Sequence, residues 1–183
     1  MNPYLKWALL VPANYFMAIA GRIVSPFVVP FASVDGWLPG WLSWFQTPDN
    51  SLDGDEGWKF EHMQWRFRFP QIISTYLGRV GWLWRNNLYG YSINVMGATV
   101  LSTDTLFVTG DSATSDSPAH SGSVKRELYR DGELVYWQWY FVYVYGGRCL
   151  RINTGWKLWG FNGTDKNIQY TVYINPLKTA RIA

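Results

Sequence analysis

Hydrophobic positions change their period several times along the chain. Residues 7 to 32, WALLVPANYFMAIAGRIVSPFVVPFA, are apolar except for Asn14, Arg22 and Ser25. The run predicts a helix from about Tyr4 to Val24, then an extended stretch punctuated by proline, which helix interiors reject. Between Gly36 and Gly57, Trp37, Leu38, Trp41, Leu42, Trp44 and Phe45 form a short amphipathic turn or helix. Helical spacing there places Trp37, Trp41 and Trp44 on one face. From Lys59 to Phe69 the pattern alternates: Phe60, His62, Gln64, Arg66 and Arg68 against Glu61, Met63, Trp65, Phe67 and Phe69. A period of two predicts a half-buried strand with His62 on its more polar face.

After Pro70, apolar residues at Ile73, Tyr76, Leu77, Val80, Leu83, Trp84 and Leu88 recur at three and four. They predict a helix of roughly 17 residues ending near Gly90. Gly78 and Gly81 would let another backbone approach it closely. From Ser92 the pattern becomes β, with strands at 92–98, 104–109, 123–130, 133–145, 148–159 and 168–175. Asp131-Gly132 is a strong hairpin signal, and Gly146-Gly147 makes the next turn. The strand ELVYWQWYFVYVY is apolar on both faces apart from Glu133 and Gln138, so it needs cover on each. The fold class is therefore α+β, with an apolar N-terminal helix, one central amphipathic helix and an antiparallel sheet of five or six strands. Residues 1–32 form an apolar membrane-associated or interface segment, and 33–183 a single α+β domain.

Composition sharpens this picture. Of 183 residues, 16% are charged and 19% aromatic. An ordinary soluble domain carries about 25% charge, so some aromatic side chains face a membrane interface, a partner or a groove. The net charge of +3 comes from scattered basic residues and not from a stripe, which excludes nucleic acid as the expected partner. One cysteine, Cys149, permits no intrachain disulfide, and its place in an apolar strand marks it as a buried thiol.

The N-terminal run supports three readings. A spanning helix needs about 20 apolar residues, whereas Lys6 and Arg22 enclose 15. An embedded or interfacial helix is one reading, with Trp7, Tyr15, Phe16, Arg22 and Phe27 as lipid or partner contacts, joined by Trp37, Trp41 and Trp44. A secretory signal is the second, since Lys6, the apolar run and Ala18-Ile19-Ala20 mimic its parts. A core helix or a subunit interface, in a homo-oligomer for instance, is the third.

The chemistry-bearing segments are weaker signals. Asp49, Asp53, Asp55 and Glu56 lie within eight residues. Oxygen ligands at that density suit Ca²⁺ or Mg²⁺, with Asp49, Asp53 and Asp55 as the metal set, although the spacing is not that of an EF-hand. With His62 the same carboxylates would make a metal-assisted hydrolase. Turn and cap chemistry is the simpler reading. The loop GDSATSDSPAHSGS holds Asp111, Ser112, Ser115, Asp116, Ser117, His120 and Ser121 but no nucleophile motif. No catalytic residue is assigned, and no cofactor beyond the metal ion is expected.

Three segments in order carry a resemblance. They are Trp41-Leu42-Ser43-Trp44-Phe45-Gln46-Thr47-Pro48-Asp49-Asn50-Ser51-Leu52-Asp53-Gly54-Asp55, then Trp84-Arg85-Asn86-Asn87-Leu88-Tyr89-Gly90, then Arg148-Cys149-Leu150-Arg151 with Gly155-Trp156-Lys157. After a hydrophobic N-terminus they resemble a family of small uncharacterised proteins of tailed bacteriophages, over about residues 1 to 176. The resemblance implies source and setting, not activity: the host envelope or the virion. The expected function is a non-enzymatic phage accessory protein at the host inner membrane, binding the lipid interface or a membrane protein. A virion component, with its apolar segment packed between subunits, is the alternative.

Overall fold

The computed structural model describes residues 1–114 and 120–179. It is α+β, and its contacts gather into two compact units: Pro12–Val95, and Met1–Val11 with Met96–Ala183. The first helix, α1 (Pro3–Val28), begins in the second of these and ends in the first.

The unit Pro12–Val95 is helical. After α1 come a 3₁₀ turn at Val29–Phe31, another at Gly40–Phe45, α2 (Glu56–Met63), a 3₁₀ segment at Gln64–Arg68, α3 (Gln71–Arg85) and α4 (Tyr89–Asn94). Its core joins Val28, Val29, Leu42, Leu52, Val80, Trp82 and Leu83. Four expectations fail here. α1 runs through Pro26 into helical geometry at Pro30, where an extended stretch was expected. Each proline lacks the N–H that would bond the carbonyl four residues back. Trp84 Nε1 donates to the Arg22 carbonyl at 2.9 Å, and Tyr76 Oη donates to the Pro26 carbonyl at 3.0 Å. The two orphaned acceptors are thus satisfied by α3, and the helix need not break.

The strand expected over Lys59–Phe69 is instead α2 and a 3₁₀ segment. Asp55, in left-handed geometry, caps α2 by accepting from Trp58 N at 3.0 Å. Lys59, Met63 and Arg66 then turn inward at helical spacing. Alternation alone did not distinguish that face from a strand face. The strand expected at 92–98 is replaced by α4 up to Asn94, and the helix after Pro70 ends at Arg85. Gly78 and Gly81 do permit close approach, but of side chains. A Cβ would lie 2.5 Å from Arg66 Nη1 at Gly78 and 2.3 Å from Met63 Sδ at Gly81.

The second unit holds the sheets. Strands β2 (Thr105–Gly110), β3 (Gly122–Arg130), β4 (Glu133–Tyr145), β5 (Arg148–Trp156) and β7 (Tyr170–Thr179) lie in the antiparallel order β2-β3-β4-β5-β7. Short β1 (Ala98–Val100) and β6 (Lys166–Ile168) pair separately. The meander stands as expected. Asp131 and Gly132 have φ of 51° and 81°, and Gly146 and Gly147 of 51° and 77°. Positive φ at both positions marks the primed turn that matches strand twist. One cover for β4 comes from the start of α1, where Tyr4 and Trp7 pack their rings on Trp137. Trp156, Tyr140 and Tyr170 are fully buried, as is Cys149. Gln138 is buried too, donating to Asn153 Oδ1 at 2.9 Å and accepting from Trp159 N.

Candidate functional site

α1 has two unlike faces within the helical unit. Gly21, Ser25 and Val28 are buried. Asn87 Nδ2 donates to the Ala18 carbonyl at 2.6 Å on this side, beside the two proline-linked bonds from α3. On the other face Phe16, Ile19, Ile23 and Phe27 are each more than 60% exposed. Their spacing of three, four and four makes one apolar stripe. Over the helix and its 3₁₀ extension, Pro3–Phe31, the most apolar 18-residue window has a mean hydropathy of 1.4, and 11% of it is buried. This is one helix long and apolar enough to cross a membrane. A core helix of the same composition would be mostly covered.

Aromatic residues extend the surface. Phe31 sets its ring edge-on to Trp41, with centroids 5.4 Å apart, and both are exposed. Trp44 leans on Tyr91 and remains half exposed. Trp41 and Trp44 share a face of the 3₁₀ turn, whose three residues per turn bring i and i+3 into line. Trp37 lies outside that turn, so the three tryptophans do not occupy one helical face. Tyr15 and Arg22 are exposed on α1. Trp7 is different: it packs in the sheet unit, its Nε1 donating to the Thr171 carbonyl at 3.1 Å, while Tyr170 Oη donates to the Trp7 carbonyl.

The acidic segment is a lattice of ion pairs. Asp53 takes both arms of Arg79, Nε at 2.8 Å and Nη2 at 2.5 Å. Arg79 also donates to the Ser33 and Val34 carbonyls. Asp55 receives Arg85 Nη1 at 2.5 Å besides capping α2. Glu56 divides its oxygens between Lys59 at 3.1 Å and Arg66 at 3.0 Å. Arg79 holds the Asp53 carboxyl below the usual carboxylate range, and Arg85 does the same for Asp55. Lys59 is buried with Nζ on the Leu52 carbonyl, and burial pushes its amine down from the ordinary lysine value.

Asp49 lies apart and exposed. Among the described residues no three His, Cys, Asp or Glu side chains gather as a metal ion would require. His62 Nδ1 donates to the Trp58 carbonyl and the ring stacks on Trp58. In the β2–β3 loop, His120 Nε2 lies 2.9 Å from Asp111 Oδ2, and Thr114 Oγ1 donates to the same oxygen. Ser115, Asp116 and Ser117 lie outside the described residues. The sequence marks Arg79 and Arg85 as the charge of the helix after Pro70 but not as the partners of Asp53 and Asp55. Their signal was present in the equal numbers of bases and acids that the helical span contains.

Fold and surface together define an α+β protein in which an aromatic-cored sheet accompanies a helical unit bearing an exposed apolar stripe. The chain belongs to a family of unknown function, DUF7338, whose model matches residues 1–182. No curated protein and no solved structure matches it.

Proposed function

We propose that the protein is a non-enzymatic bacteriophage accessory protein that lies on the host inner membrane, with the outer stripe of α1 seated among the lipids. The phage setting rests on the resemblance carried by the Thr47–Asp55 run and its companion segments. The membrane contact rests on one observation: Phe16, Ile19, Ile23 and Phe27 are exposed in a row on a helix tied down along its opposite face. Such a helix lies in the plane of the interface. Crossing the bilayer would carry α3 down with it, together with Arg79, Arg85 and their carboxylates. Taking charged pairs out of water costs several kcal/mol per ion. In the plane, Arg22 reaches up to headgroups along its aliphatic stem, and Trp41 and Phe31 sit at the depth amphipathic and aromatic rings prefer.

Flotation with vesicles of phosphatidylethanolamine and phosphatidylglycerol tests the contact. The full chain should float, and Phe16→Ser with Ile23→Ser should weaken partitioning at least tenfold, since burying each such side chain contributes about 1.5–3 kcal/mol. A chain that stays at the bottom of the gradient overturns the reading. Depth then separates the two geometries. Spin labels at Phe16→Cys and Phe27→Cys should report equal depth, whereas a spanning helix would separate them by about 16 Å along the normal.

A further inference from the structure

The five-stranded sheet has two edges, and they are built differently. A free edge presents a row of unpaired N–H and C=O groups, and natural edges are blunted by charge, proline or a bulge. The β7 edge has all three devices. It carries Pro176 and Lys178, its register against β5 shifts between Cys149 and Arg151, and Tyr145 Oη donates to the Pro176 carbonyl. The β2 edge has none. Thr105-Leu106-Phe107-Val108-Thr109-Gly110 contains no charge and no proline. It pairs with β3 in unbroken register from Thr105–Tyr129 to Gly110–Val124. Only Leu106 is partly covered; Phe107 is 55% exposed and Val108 48%, on opposite faces.

We propose that β2 is a self-association edge, pairing antiparallel with β2 of a second copy so that two sheets become one. This inference rests on the sheet alone and is independent of the membrane reading. Every second residue of an antiparallel edge turns its N–H and C=O to the open side, and another extended strand can satisfy that row in place of water. A second copy suits it for three reasons. An uncharged strand meets itself across a two-fold axis without opposing like charges. Threonine, valine and phenylalanine are the residue types that pair well across strands. Beside the strand lies a hollow of about 590 Å³ lined by Thr105, Phe107, Thr109, Glu127 and Tyr129. It leaves room on the Phe107 face for the partner's ring, next to the edge-on pair that Phe107 already forms with Tyr129 at 5.3 Å.

The test uses the full chain in mild detergent. Sedimentation should show a dimer whose dissociation constant rises about tenfold or more with Val108→Lys, a loss of at least 1.4 kcal/mol. The far-UV spectrum should be unchanged. Ile174→Lys, on the exposed face of β7, should leave the dimer intact. Single cysteines at positions 106, 107, 108 and 109 should give disulfide-linked dimers on mild oxidation at one or more sites, and Ile174→Cys should give none. This second measurement stands even where Val108→Lys fails to fold. A wild-type chain that is monomeric at every concentration reached overturns the proposal. So does cross-linking no greater in β2 than in β7.

Discussion

The helical and sheet units use the same aromatic excess in opposite ways. In the sheet unit several of the largest rings, Trp137, Tyr140, Trp156 and Tyr170, go inside. Trp156 is wholly buried, lies edge-on to Tyr136 and Tyr170, donates to the Met96 carbonyl and has the Lys6 ammonium over its ring. In the helical unit Phe16, Phe27, Trp41, Phe60 and Phe67 are all more than half exposed. That unit is held by aliphatic side chains packed around Trp82, by the Asp–Arg lattice and by hydrogen bonds to carbonyls left open by proline. A high aromatic count therefore says little about location until each ring is placed. The sheet unit buries Trp137, Tyr140, Trp156 and Tyr170, whereas the helical unit buries Trp82 and leaves most of its other large rings at the surface.

Mutations should pull the two roles apart. The largest effect is expected for Trp156→Ala, which removes a fully buried indole and should cost about 3–5 kcal/mol in urea unfolding. Asp104 comes next. Its buried carboxylate accepts Arg130 Nε at 2.7 Å, Arg130 Nη2 at 2.8 Å and Leu101 N at 2.8 Å. Asp104→Asn should cost about 2–3 kcal/mol, because Arg130 loses its counter-charge while remaining partly hydrated.

Arg130 also holds the Asp104 carboxyl below the ordinary value of 3.8. A carboxyl lowered in the folded state stabilises above its unfolded pKa, and that stability is lost as pH falls through the folded pKa. Acid titration of the wild type should therefore show a stability loss beginning near pH 4 and continuing below it. The loss should be shallower in Asp104→Asn.

Smaller effects belong to the helical unit. Trp84→Phe and Tyr76→Phe keep a ring but remove the donor to Arg22 or Pro26, and each should cost about 1 kcal/mol by the same measurement. The smallest is expected on the outer stripe. Phe16→Ser and Ile23→Ser should each change stability by no more than about 0.5 kcal/mol, while the pair abolishes most vesicle binding. A stability loss as large as that of Trp156→Ala would place the stripe in a core and erase the distinction.

The parts legible in the sequence were those set by neighbouring residues. Asp131-Gly132 and Gly146-Gly147 carry the conformation their turns need, so the meander from Gly122 to Trp156 could be read without tertiary information. The failures needed a distant partner. Nothing near Pro26 says that Trp84 and Tyr76 will donate hydrogen bonds to the open carbonyls, so the helix was expected to end early. Nothing between Lys59 and Phe69 shows that Asp55 starts a helix there, and a chance alternation of large and polar residues read as a strand. The candidate surface was half legible. The apolar run stood out, and Tyr15, Phe16, Arg22 and Phe27 are exposed on it. Trp7 faces the sheet because the helix crosses from one unit to the other at Val11, a boundary that no change in composition marks.

Cys149 gives the sheet a clock. The chain has a single thiol, and it lies in β5 with Val124, Tyr140 and Val142 closed over it. Alkylation can reach the sulfur only when those strands part, so its rate under native conditions counts opening events of the sheet unit alone. No label need be introduced and no residue changed. The helical unit contributes no background, and the reaction reads the sheet's local stability directly, with or without lipid present.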